Sequence, residues 1–97
     1  MIKRTTDKND NIKVTFVLPY NEGQEAVSVV GDFNNWDPAA NRLIKRNNGT
    51  CSASVVLEPG ARYRFRYYSA DGTWFNDEAA DAYEASEHGP ENCILQL

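Results

Sequence analysis

No helical period runs through this chain, and no apolar run approaches the roughly 18 residues that a membrane span needs. Histidine occurs once, at His88, so a nucleophile–base pair or a histidine-rich metal site has almost nothing to draw on. Cysteine occurs twice, at Cys51 and Cys93, with neither a metal-ligand spacing nor a disulfide framework. Positive charge is also in deficit: ten Lys and Arg against fourteen Asp and Glu leave a net charge of −4. That balance argues against a general nucleic-acid binder, which is usually basic. Met1 to Asp7 carries no apolar segment of the sort a secretory signal requires. The expectation is a cytoplasmic protein with two reduced thiols packed as small hydrophobes, and no membrane partner.

What is present suits one folded domain. Ninety-seven residues leave no room for a second. Hydrophobic residues make up 41% of the chain, and eleven aromatics (four Phe, five Tyr, two Trp) argue against disorder. The core is thin at this size, about 60–65% of the unfolded surface being buried, which disfavours a deep catalytic cleft.

Residues 1–11 are polar and aperiodic and read as a flexible arm, leaving 12–97 as the domain. Ile12, Val14, Phe16 and Leu18 then alternate with Lys13, Thr15 and Val17, the period-2 pattern of a half-buried strand. Ala26 to Val30 is a β-branched strand closed by Gly31-Asp32. A short strand from Arg42 to Arg46 meets Asn47-Asn48-Gly49, where Asn-Gly suits a type I′ hairpin. Cys51, Ala53, Val55 and Leu57 alternate on the return strand. The clearest strand sets Tyr63, Phe65 and Tyr67 on one face and Arg62, Arg64, Arg66 and Tyr68 on the other. Asp71-Gly72 turns it into Trp74-Phe75, and Cys93 to Leu97 is a last strand. Short strands with frequent turns predict an all-β sandwich, with Phe16, Val29, Val55, Phe65 and Tyr67 inside. Residues 76–92 read as an irregular acidic loop.

Catalysis finds little support in these residues. Glycoside hydrolysis needs two carboxylates at fixed separation. Asp71, Asp77, Glu78, Asp81, Glu84, Glu87 and Glu91 sit in turns and the acidic loop, where they read as solvated surface charge. No enzyme and no cofactor is expected. Asn48-Gly49-Thr50 matches a glycosylation sequon but is explained as the hairpin turn. Two features remain. Trp36 lies in a polar loop and Trp74 follows a β-turn, so each either plugs the end of the sandwich or stands out as a flat apolar plate. A pair of exposed indoles suits sugars, because the C–H face of a pyranose packs on a ring while its hydroxyls bond at the edge. The outward row Arg62, Arg64, Arg66 is either a solvated face or a set of guanidinium forks for hydroxyls and anions.

Four blocks occur in order: Val27 to Trp36 (VSVVGDFNNW), Tyr63 to Tyr68 (YRFRYY), Asp71 to Asp77 (DGTWFND) and Asn92 to Leu95 (NCIL). Together they resemble carbohydrate-binding module family 48, the isoamylase N-terminal or early-set domain. That family includes N-terminal modules of glycoside hydrolase family 13 enzymes and the glycogen-binding domain of the AMP-activated protein kinase β subunit. The resemblance implies an immunoglobulin-like sandwich of seven or eight strands that binds α-1,4-glucans such as glycogen, starch and maltooligosaccharides. It implies carbohydrate-binding roles for Trp36, Arg66, Trp74 and Asn92, with Asn35 and His88 as further candidates. His88 stands where family members place an apolar residue against the sugar, and Pro90 where they have a threonine. The expected partner is a glucan, bound by a monomer. The alternative is a domain of the same fold that has lost sugar binding and packs on a protein partner or a family 13 catalytic domain.

Overall fold

The computed structural model describes residues 1–86 and 91–97. Among the described residues are nine strands: β1 (Ile2–Thr6), β2 (Ile12–Pro19), β3 (Val27–Gly31), β4 (Ile44–Lys45), β5 (Thr50–Leu57), β6 (Arg62–Ser69), β7 (Trp74–Phe75), β8 (Ala82–Glu84) and β9 (Asn92–Gln96). They make two antiparallel sheets, ordered β1-β2-β5-β4 and β3-β6-β9-β8, with β7 also paired to β6. The architecture is the expected all-β sandwich. Seven of the nine strands coincide with the segments read from alternation, and β1 and β8 are additional.

Both additional strands have a physical reason for escaping that reading. Residues 1–11, expected as a flexible arm, instead place Ile2–Thr6 against β2, from Ile2↔Phe16 to Thr6↔Ile12. Four of its five residues are exposed, as are all three of β8, so neither strand carries an alternating buried face. The 7–11 turn that closes β1 onto β2 is tied by the Asp7 carboxylate, which accepts from the backbone N–H groups of Asn9 and Asn11 at 2.8 and 3.0 Å.

The core follows the alternation. Val14, Phe16, Val29, Phe65, Tyr67, Cys93 and Leu95 are fully buried, and Val55 is half-buried against them. Phe16 packs on Phe65 at 5.1 Å between centroids, and edge-on against Tyr67 at 6.3 Å. Cys51 and Cys93 are both free and buried, one in each sheet. The Asn47–Gly49 hairpin differs from expectation. Only Gly49 has a positive φ (77°), and Arg46 N–H bonds Thr50 O at 2.7 Å. A type I′ turn needs two left-handed residues, whereas a three-residue loop ending in left-handed glycine is the bulged alternative.

β6 organises the side that carries most of the candidate residues. One edge pairs with β3 from Val27↔Ser69 to Gly31↔Phe65. The other edge is shared: β9 takes Arg62 to Phe65, and β7 takes Tyr67 and Tyr68. Arg66 falls at the junction.

Candidate functional site

Outward side chains of β6 fall in one row, Arg62, Arg64, Arg66 and Tyr68, while Phe65 and Tyr67 face the core. Each member of the row from Arg64 onward is held by a neighbour. The first anchor is Asp32, just past β3. Its carboxylate accepts from Arg64 N–H at 2.9 Å, from Arg64 Nε at 3.1 Å, and from the Trp36 indole N–H at 3.1 Å. Partial burial would raise the Asp32 pKa, but these donors and the guanidinium charge outweigh it, leaving the carboxyl below its ordinary value.

Trp36 is neither a plug nor a fully exposed plate. It is half-buried, with its indole N–H committed to Asp32. Asn35 and Trp36 both adopt left-handed backbone, with φ of 57° and 58°. That conformation is uncommon for asparagine and an outlier for a bulky residue, and persists only where its surroundings over-determine it. Two groups hold it here. Asn34 accepts from Gly31 N–H and donates to Val29 O and to Asn41 Oδ1, and Trp36 N–H bonds Gly31 O at 3.0 Å.

The second cluster centres on Arg66. Its guanidinium lies 5.7 Å from the centre of the Trp74 ring, and its Nε donates to Asn76 Oδ1 at 2.9 Å. Asn76 in turn donates to Glu91 O at 2.9 Å, bridging the junction where β7 ends and β9 begins. One step beyond the Phe65↔Cys93 pair, the antiparallel register sets Asn92 alongside Arg66. Trp74 pairs directly across from Tyr68, with ring centroids 4.8 Å apart, and remains 45% exposed. An indole in contact with a phenol and a guanidinium, yet still exposed, is a braced, open plate with donors nearby.

Beneath this cluster the acidic segment is not all solvated. Asp77, expected on the surface, is only 4% exposed. The Tyr67 hydroxyl donates to its carboxylate, Ala79 N–H does so at 2.7 Å, and its own N–H points at Cys93 Sγ. Burial first, then the bond and charge of Asp77, push the Tyr67 phenol far above its usual pKa, so it stays a donor. Asp77 thereby anchors the chain to the core directly after Asn76.

Of the candidates named from sequence, Trp36, Arg66, Trp74, Asn92 and Asn35, the structure sets Arg66 against Trp74 and ties Trp36 to Asp32. Sequence reasoning missed Asp32, Tyr68 and Asn76, which contact Trp36, Trp74 and Arg66 respectively. Tyr68 was legible as the residue outward of Arg66 on the same strand, but the roles of Asp32 and Asn76 depend on pairings distant in sequence. His88 and Pro90 lie outside the described residues. Among the described residues no group of three or more His, Cys, Asp or Glu side chains could hold a metal ion.

A β-sandwich with an exposed aromatic and guanidinium surface on one sheet is an architecture compatible with a carbohydrate-binding module. The match to known proteins makes it specific. Residues 4–84 match the model of carbohydrate-binding module 48, the isoamylase N-terminal domain, and the chain belongs to that family. Its fold is therefore the immunoglobulin-like sandwich of a non-catalytic module associated with glycoside hydrolase family 13 enzymes. The chain is 39% identical over 71 residues to a 1,4-α-glucan branching enzyme (GlgB 2) of Rhizobium johnstonii, covering 71% of the chain and 10% of that enzyme. It is 35% identical over 69 residues to an amylopullulanase of Thermoanaerobacterium thermosulfurigenes, covering 69% of the chain and 3% of the relative. With an amylopullulanase of Thermoanaerobacter thermohydrosulfuricus it shares 32% identity over 84 residues, 82% of the chain and 5% of the relative. The chain thus spans a tenth or less of the length of these relatives.

Proposed function

We propose that this domain binds α-1,4-linked glucans without catalysis, on a surface built from Trp36, Arg66, Trp74 and Asn92, with Asn35 at its edge. The observation that carries this reading is the Trp74 plate, exposed yet braced by Tyr68 and Arg66. A pyranose gains by stacking its C–H face on such a ring only if the ring does not have to be ordered first. The name of one relative, a 1,4-α-glucan branching enzyme, supports the substrate class. Burial on an open sheet face is shallow, so the expected affinity is micromolar to millimolar, about −4 to −8 kcal/mol.

Amide chemical-shift titration with maltoheptaose or β-cyclodextrin tests it. Shifts should gather on residues 34–36, 64–68 and 74–76. Trp36→Ala and Trp74→Ala should each cost about 1–3 kcal/mol of binding, the range of interface anchors. Folded tryptophan variants that bind as well as the parent would place the site elsewhere. A second reading, a packing domain on a protein or catalytic partner, is favoured by Ile44 and Val56, 58% and 61% exposed on the outer face of the other sheet. It takes precedence if ten millimolar sugar units, beyond roughly the weak end of that range, move no amide.

A further inference from the structure

Along the outward row of β6, the Trp36–Asp32–Arg64 contacts lie at one end and the Tyr68–Trp74 pair toward the other. Beside Tyr68, on the β3 side, lies a depression of about 300 Å³ lined by Ser28, Pro38, Ala39, Arg42, Tyr68 and Ala70. That volume lies at the small end of ligand pockets, about 300–1,000 Å³. Tyr68 belongs to both places: one of its neighbours is the Trp74 ring, and its side chain also walls the depression. Ser28 pairs with Tyr68 on one side and bridges to Arg42 on the other, while Tyr68 pairs with Trp74, so Arg42 and Trp74 stand three strand spacings apart, roughly 15 Å at about 4.8 Å each, with Tyr68 between them.

The wall opposite Tyr68 is fixed in place. Ser28, 5% exposed, donates its hydroxyl to Pro38 O at 2.6 Å. Ala39 N–H bonds the Asp37 carboxylate at 2.8 Å, and Ala40 N–H bonds Asp37 O at 3.1 Å. Arg42 is held by backbone: it forms an isolated bridge with Ser28 while Val29 N–H bonds Asn41 O at 3.0 Å. Among the described residues no hydrogen bond or ion pair engages the Arg42 guanidinium. Arg66, by contrast, is committed to Asn76, and Arg46 to Ser52. An unengaged guanidinium fork on a preformed hollow with an aromatic wall is suited to a hydroxyl-rich ring.

We propose that this depression is a further glucosyl subsite, in which Arg42 bonds ring hydroxyls of a unit lying beyond those stacked on the tryptophans. The inference rests on the α-glucan reading above and extends it: short glucans fill the tryptophan surface, and longer ones reach Arg42. Maltotriose and maltoheptaose are titrated into the parent and into Arg42→Ala, with the amide spectrum of the variant checked for an intact fold. Arg42 is exposed and its structural bond is made by backbone, so the variant should fold. Maltoheptaose should bind Arg42→Ala about fivefold or more weakly than the parent, and maltotriose less than about twofold more weakly, an anchor-sized effect confined to the longer ligand. Amides of Ala39 and Ala70 should shift with maltoheptaose and stay still with maltotriose. Equal loss on both sugars, or no loss on either, overturns the subsite and leaves the tryptophan surface standing. Failure of the parent to bind either sugar overturns both.

Discussion

Trp36 shows how much a single side chain depends on groups that sequence does not place beside it. Its rarity in a polar loop made it visible, but its orientation comes from Asp32, whose other oxygen is tied to Arg64 across the β3–β6 pair. Because Asp32 has a depressed pKa in the folded state, its contribution is complete above the ordinary value of 3.8 and is lost as pH falls through the lower folded value. Protonation weakens acceptance from both the indole and the guanidinium. In a Trp74→Phe background, Trp36 emission should therefore change on acidification below about pH 4. The Asp32→Asn variant should already show the altered emission at neutral pH. An acid transition of the same size and midpoint in that variant would mean another group controls Trp36. The same limit on legibility applies to Asn76 and Asp77. Both sit in a run of acids and amides that looks uniformly solvated, and only the meeting of β7 and β9 beside β6 buries one and turns the other toward Arg66.

Among the elements, strands with one buried face were readable and strands with none were not. β2, β5 and β6 alternate because the sandwich covers one side of each, whereas β1 beyond Ile2 and all of β8 are exposed and show no alternation. Turn chemistry was legible as a location, at Asn47–Gly49, but not as a type, since Asn-Gly serves two hairpin loops. β3 has the tightest local requirement. Gly31 lies opposite Phe65, and a Cβ there would sit 2.9 Å from both Phe65 Cβ and the Phe33 ring and closer still to the Arg64 carbonyl oxygen. Backbone cannot swing aside as a flexible side chain does. Gly31→Ala should cost about 1–3 kcal/mol in denaturant unfolding, the range for overpacked cores. On the proposed glucan reading, it should also weaken binding by spreading β3 from β6 under Asp32. A variant within about 0.5 kcal/mol of the parent, the usual range for an unremarkable surface change, would show that β3 yields more easily than this contact allows.

For the molecule as a whole, the sandwich and its family were legible while the pairing order was not. Alternation tells which side of a strand is buried, but not that β2 lies between β1 and β5 or that β6 lies between β3 and β9. Arg4 and Asp81 make one such distant connection, joining the edge strand of one sheet to the segment ahead of β8 in the other at 2.6 Å. The two buried cysteines acquire a use from this layout. Cys51 belongs to β5 and Cys93 to β9, so each leaf of the sandwich holds one thiol, 2% and 0% exposed respectively. Burial raises the pKa of both, so neither reacts until its surroundings open. They are paired clocks for native-state breathing. Modification by a thiol reagent, followed separately at each cysteine by peptide mapping, should run at matching rates if the shared aromatic core makes the leaves part together. If Cys51 is modified many times faster than Cys93, the four-stranded leaf peels away first and leaves the five-stranded leaf intact.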